Sequence, residues 1–123
     1  MEYCEVCGRN QVEHHHIVSR GQAVYMINIK LNIKPVCIEH HKGSKGAHGN
    51  REVDLKYKLE FQEKLFLLFD KDFYSEKEIK EKLETNINEV RKITKKMMFY
   101  KEGYKKEELI RRLMGGRIYG EQD

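Results

Sequence analysis

No apolar run in this 123-residue chain exceeds the five residues from Leu65 to Phe69. A bilayer-spanning helix needs about 20, so that class is excluded. The chain also lacks a basic segment followed by an apolar stretch at its start, the pattern of a secretory signal. The expected location is therefore the cytoplasm, with no membrane partner. Strong charge of one sign is missing too: 24 Lys and Arg against 20 Asp and Glu leave a net +4. That balance permits a nucleic-acid partner without pointing to one. Cysteine is scarce, and its three copies cannot pair off, which argues against a disulfide framework. After His48 the sequence contains neither Cys nor His.

What is present is concentrated. Cys4, Cys7 and Cys37 share the first 48 residues with His14, His15, His16, His40, His41 and His48. Cys4-Glu-Val-Cys7-Gly8 is one metal knuckle and Cys37-Ile-Glu-His40 is a second. Together they supply the four ligands of a closed Cys₃His zinc site. The competing readings are ordinary buried thiols or a redox Cys-x-x-Cys pair. About 50 residues bury little apolar surface, and a bound Zn²⁺ would provide folding free energy directly.

The remaining pattern predicts an α+β chain. Gln11 to Val18 is a strand candidate. Asn28 to Cys37 alternates apolar and polar residues, with Pro35 near its end, and suggests a second strand. Ser19 to Ile27 reads as the loop between them, and the Gly-rich segment Lys42 to Gly49 as the approach to a helix. Asn50 is an N-cap candidate for a helix over about 51–69, with Leu55, Leu59, Phe66 and Phe69 near one face. Ser75 to Glu78 is a capping box opening a second helix that carries Ile79 and Leu83. Thr85 to Asn88 reads as a turn ending in an N-cap. A third helix follows, with Val90, Ile93, Met97 and Met98. A fourth, short helix with Leu109, Ile110, Leu113 and Met114 ends at Gly115-Gly116. The expected organisation is a zinc-knuckle module over 1–70 and a helical region over 71–123.

The order His15-His16-Ile17-Val18, Asn32-Ile-Lys-Pro-Val-Cys37, His40-His41 resembles the His-Asn-His (HNH, or ββα-metal) nucleases. The tail resembles phage-type members, with His40-His41-Lys42-Gly43, His48, Asn50-Arg51-Glu52-Val53-Asp54-Leu55 and Arg111-Arg112-Leu113-Met114-Gly115-Gly116. The resemblance implies a small zinc-stabilised ββα-metal module followed by a helical extension. It implies a DNA endonuclease that leaves 5′-phosphate and 3′-hydroxyl ends, in a bacterial host cell if phage-encoded. His16 would be the general base. His15 and His41 would hold a catalytic divalent ion, Mg²⁺ or Mn²⁺ foremost. Asn32 would pin the loop between the strands and orient His16, with Asn28 as its rival.

His48 is open between a third ligand, a phosphate contact and a surface residue; on a continuous helix it would share a face with His41. Glu13 is a candidate acceptor for a ligand His, and His14 is expected to have no chemical role. Two departures from the family pattern stand out. The fourth zinc ligand is His40 rather than Cys, and the loop reads Ser19-Arg20-Gly21-Gln22 where Gly-Gly is frequent. Arg20 is a phosphate-contact candidate or a solvated charge. Between Val90 and Lys101 there is no acidic residue. Arg91, Lys92, Lys95 and Lys96 on the third helix are therefore DNA-binding candidates, in an arrangement similar to a helix-turn-helix. The other reading is a solvated face of a helical buttress. A non-catalytic zinc-stabilised DNA-binding module and a nuclease toxin are the alternatives to an endonuclease. One site per chain makes nicking the simplest outcome. Cutting both strands requires a homodimer or two successive nicks.

Overall fold

The structure, a computed structural model, describes residues 2–120 and is a small α+β fold with two small antiparallel sheets and several helices. Strand β1 (Glu13–His16) pairs antiparallel with β2 (Ile33–Val36), His16 opposite Ile33 and Glu13 opposite Val36. Helix α1 (Ile38–His41) follows directly, and the long helix α2 (Arg51–Leu68) comes after a Gly-rich loop. The second sheet joins β3 (Phe73–Tyr74) to β4 (Tyr104–Lys105). Between and after these strands lie α3 (Glu76–Leu83), α4 (Ile87–Thr94) and α5 (Lys106–Leu113). No helix among the described residues is long and apolar enough to cross a membrane.

Three caps follow from short polar side chains at helix starts. Asn50 Oδ1 accepts from the Glu52 and Val53 amides. Ser75 and Glu78 form a reciprocal capping box on α3. Asn86, not Asn88, caps α4 by accepting from the Glu89 amide. The predicted third helix is also shorter than expected. It stops at Thr94, so Met97 and Met98 lie beyond it. The predicted second strand begins only at Ile33, because Lys30–Asn32 forms a single 3₁₀ turn.

One main core draws residues from both sides of position 70. Ile17, Val18, Met26, Phe61 and Leu65 pack with Ile79, Leu83, Val90, Leu113 and Met114. On α2 the buried stripe is Tyr57, Phe61 and Leu65, one helical turn apart each. The expected face was wrong in part: Leu55 and Leu59 are each 37% exposed. Gln62 obscures the pattern because it is buried on the core side. Its side chain donates to the Tyr119 carbonyl and accepts from the Tyr119 amide, satisfying both ends of its amide.

Candidate metal centres and the histidine beside them

Two groups of Cys and His come together among the described residues: Cys4, Cys7, Cys37 and His40, and His15, His41 and His48. Within each, the ligand atoms lie within 4.8 Å of one another. Each group can hold a metal ion.

The first group is built from two turns. The Gly8 amide donates to the Cys4 carbonyl, and Gly8 takes a left-handed φ of 81° that suits glycine. Cys37 caps α1 and His40 sits within it, so the chain supplies the second pair from a helix start. Cys37 Sγ is 3.2 Å from His40 Nδ1, Cys7 Sγ is 3.7 Å from Cys37 Sγ, and Cys4 Sγ is 3.9 Å from His40 Nδ1. A tetrahedron with Zn–S of about 2.3 Å and Zn–N of about 2.0 Å has edges of about 3.5–3.8 Å, so the donors are spaced for one ion. No disulfide links them, since all three cysteines are free. Burial opposes ionisation of Cys4, but the amides of Cys37, Cys7 and Val6 outweigh it and bring its pKa down to about 6. A thiolate favoured at neutral pH suits a cation.

The second group has a different character. His15 is buried, and neither ring nitrogen has a hydrogen-bond partner. Such orphaned polar atoms are costly and rare, and a cation bound at a lone pair would relieve the cost. Burial, followed by the neighbouring His41 and His48, pushes the His15 pKa down to about 4. Its ring is therefore neutral, as a metal ligand must be.

His41 Nδ1 is 2.7 Å from Glu13 Oε1, a pairing that fixes the ring and turns Nε2 toward the group. The same bond holds the Glu13 carboxyl below the usual range. His48 Nε2 stands 3.1 Å from His41 Nε2. Two ligands at right angles, each about 2.1 Å from an ion, would be about 3.0 Å apart. His48 does not continue the helix of His41. The chain reverses over 42–49, and the His48 amide donates to the His41 carbonyl. A Cβ at Gly46 would fall 2.5 Å from the His41 carbonyl, so only glycine allows so tight a return.

Tyr57 connects the two groups. Its ring lies 5.8 Å from that of His15, and its hydroxyl donates to the His40 carbonyl. Burial raises its pKa to about 12, which keeps the donor proton in place.

His16 is next in sequence to His15 but belongs to neither group. Its Nε2 is 2.9 Å from the Ile27 carbonyl. A carbonyl only accepts, so Nε2 carries the proton in the neutral ring and Nδ1 is left with a lone pair. Asn32 sets this geometry. Its Oδ1 accepts from the Val18 amide, and its Nδ2 donates to the Val18 and Met26 carbonyls. The two ends of the intervening loop are thereby clamped, with Ile27 next to Met26. Asn28 is instead exposed and donates to Glu89. The Ile27 carbonyl has no sequence signal, because any residue type could supply it.

His14 faces solvent and pairs with Glu2. Arg20 is exposed in the loop after β1. The four cations expected on one helix divide. Arg91 pairs with Glu76 at 3.6 Å and Lys92 with Glu89 at 3.2 Å, while Lys95 caps α4 and Lys96 lies past its end. Lys92 and Lys95 line a cleft of about 370 Å³ with Tyr25, Ile27 and Arg112. These two cations thus stand beside the loop that holds His16. No family model, no curated protein and no solved structure matches the chain.

Proposed function

We propose that this protein is a metal-dependent DNA endonuclease of the His-Asn-His type that hydrolyses phosphodiester bonds. The observation that carries the reading is the separation of roles around β1. His15 is unpaired in a three-His group, and its neighbour His16 is oriented by a backbone carbonyl with Nδ1 free. In this reading the β1–β2 ribbon and α1 form the ββα-metal unit. The Cys₃His group holds a structural Zn²⁺.

His15, His41 and His48 would hold the catalytic divalent ion. When bound, that ion supplies Lewis-acid stabilisation of the scissile phosphate and the leaving 3′-oxygen. An all-imidazole set favours a transition ion over Mg²⁺. His16 Nδ1 takes the proton of the attacking water, which suits an imidazole at neutral pH. The Ile27 carbonyl holds the opposite nitrogen, and its dipole stabilises the positive charge that develops on the ring. Asn32 keeps that carbonyl in place, and Glu13 does the same for His41. Lys95, with Lys92 beside it on Glu89, would meet the DNA backbone.

Supercoiled plasmid incubated with Mg²⁺, Mn²⁺, Ni²⁺ or Zn²⁺ tests the reading. Conversion to the nicked circle is expected with at least one of these ions. Absence of conversion with every ion, with DNA binding intact, would replace it with a non-catalytic zinc-stabilised DNA-binding module.

A further inference from the structure

After α5 the chain turns back toward the histidines. Gly115 and Gly116 adopt φ of 84° and 107°, conformations that favour glycine. A Cβ on Gly115 would lie 3.0 Å from Val18 Cγ1, so the tail passes close over the residue after Ile17. The following residues are anchored twice. Gln62 of α2 bonds both backbone groups of Tyr119, and the Gln22 side chain donates to the Tyr119 hydroxyl at 3.0 Å. Two buried bonds to one backbone site are more than a passing contact needs.

The docked tail carries Arg117 into a cleft of about 300 Å³, lined also by Gln22, Arg51, Asp54, Lys58 and Tyr119. The Arg117 guanidinium stacks 4.5 Å from the Tyr119 ring, and Lys58 Nζ lies 5.7 Å from the same ring. Asp54 is committed to Lys58 at 2.9 Å. Arg51 and Arg117 form no ion pair with any described residue, and both are exposed. Among the described residues that line it, the cleft therefore presents two guanidinium groups without an ion pair beside the Lys58–Asp54 pair.

One of the cleft's residues, Asp54, is near enough to the histidine group for its charge to act on the His15 ring. Arg51 is three residues after His48. Lys58 follows Tyr57, whose ring lies 5.8 Å from that of His15. Gln22 belongs to the loop that Asn32 clamps and that supplies the Ile27 carbonyl to His16.

We propose that this cleft seats a DNA backbone phosphate neighbouring the scissile one, and that the 115–119 tail docks in order to deliver Arg117 to it. The proposal rests on the endonuclease reading for the identity of the polyanion. Arg51 and Arg117 approach one phosphate from α2 and from the tail, and Tyr119 keeps the Arg117 guanidinium plane oriented. Guanidinium groups suit this task because their planar donor fork matches phosphate oxygens. The contact is independent of base sequence, so it fixes the register of the strand across the histidines and does not select a site.

The test is the salt dependence of binding to a short DNA duplex, measured without added divalent ion so that nothing is cut. Each phosphate contact contributes about 0.9 to the slope of log affinity against log salt. The double variant Arg51→Ala/Arg117→Ala should lower the slope by about 0.9, for the one phosphate the two share, and each single variant by part of that. Lys77→Ala, on the exposed start of α3, should leave it unchanged. Thermal melting of each variant, expected to match the parent, separates lost contact from lost fold. A parent-like slope in the double variant, with plasmid cleavage retained, would overturn the cleft proposal alone. No duplex binding by the parent protein would overturn both it and the endonuclease reading.

Discussion

Replacing Asn32 by Ala tests the link between the loop and the histidines. Asn32 is fully buried, as are Val18 and Met26, whose backbone groups it serves. The substitution removes three hydrogen bonds, of 2.8, 3.0 and 3.1 Å. It strands the Val18 amide and carbonyl in the core and leaves the Met26 carbonyl with the Ile29 amide at 3.2 Å alone. A buried group left without a partner costs about 1–3 kcal/mol. Water entering the vacated volume recovers part of the sum over these two groups, so a loss of about 2–4 kcal/mol is expected. That is a large share of the total stability of a domain this size.

Urea denaturation of the metal-loaded protein measures the effect as a fall in midpoint at constant slope. Asn32→Asp is the sharper companion. It keeps the acceptor for the Val18 amide but turns the donor into an oxygen facing two carbonyls, so it should destabilise at least as much despite its near-identical shape. A loss below about 1 kcal/mol for Asn32→Ala would refute the claim that these bonds hold the loop, and with it the account of how the Ile27 carbonyl is positioned.

Metal analysis should find about two ions per chain, one for each donor set. His41→Ala should lose one and Cys37→Ala the other, with Cys37→Ala also loosening the N-terminal fold. Gly46→Ala should lose the His-held ion, because a Cβ there collides with the His41 and His40 backbone 2.5 and 2.6 Å away and displaces His48. Two ions retained in Gly46→Ala would disprove that role for the reversal. For α3, the hydrogen bond to Lys71, with help from the Ser75 amide, lowers the Glu78 pKa below its ordinary 4.5. A lowered folded pKa stabilises above the ordinary value, and the contribution disappears as pH falls through the lowered one. Glu78→Gln should therefore melt below the parent at pH 7 and draw level with it as pH falls through the lowered pKa; a gap that stays constant with pH would argue against the ion pair.

The Cys₃His group was legible because its ligands fall in two short knuckles, each of which local geometry brings to one point. His15 and His41 needed the family resemblance to be paired. The place of His48 was not legible, because it depends on how Gly43, Ser44, Lys45 and Gly46 reverse the chain rather than on helical spacing. On α2 the apolar residues scatter around the helix, so periodicity favoured Leu55 and Leu59. Burial instead follows Tyr57, Phe61 and Leu65, with Gln62 drawn inside by the Tyr119 backbone. The β3–β4 pair has two residues in each strand and no period to detect. Likewise, nothing local in Arg117-Ile118-Tyr119 announces docking on α2, since its partners lie 57 or more residues away.

The central claim is that His16 moves the proton while other residues hold the ion. The most direct measurement is plasmid nicking by His16→Ala at a metal content shown to equal the parent's. The account predicts unchanged metal content and a rate at least about 100-fold lower, the scale of a lost general base. Nicking within about threefold of the parent at matched metal, far short of that scale, would contradict it.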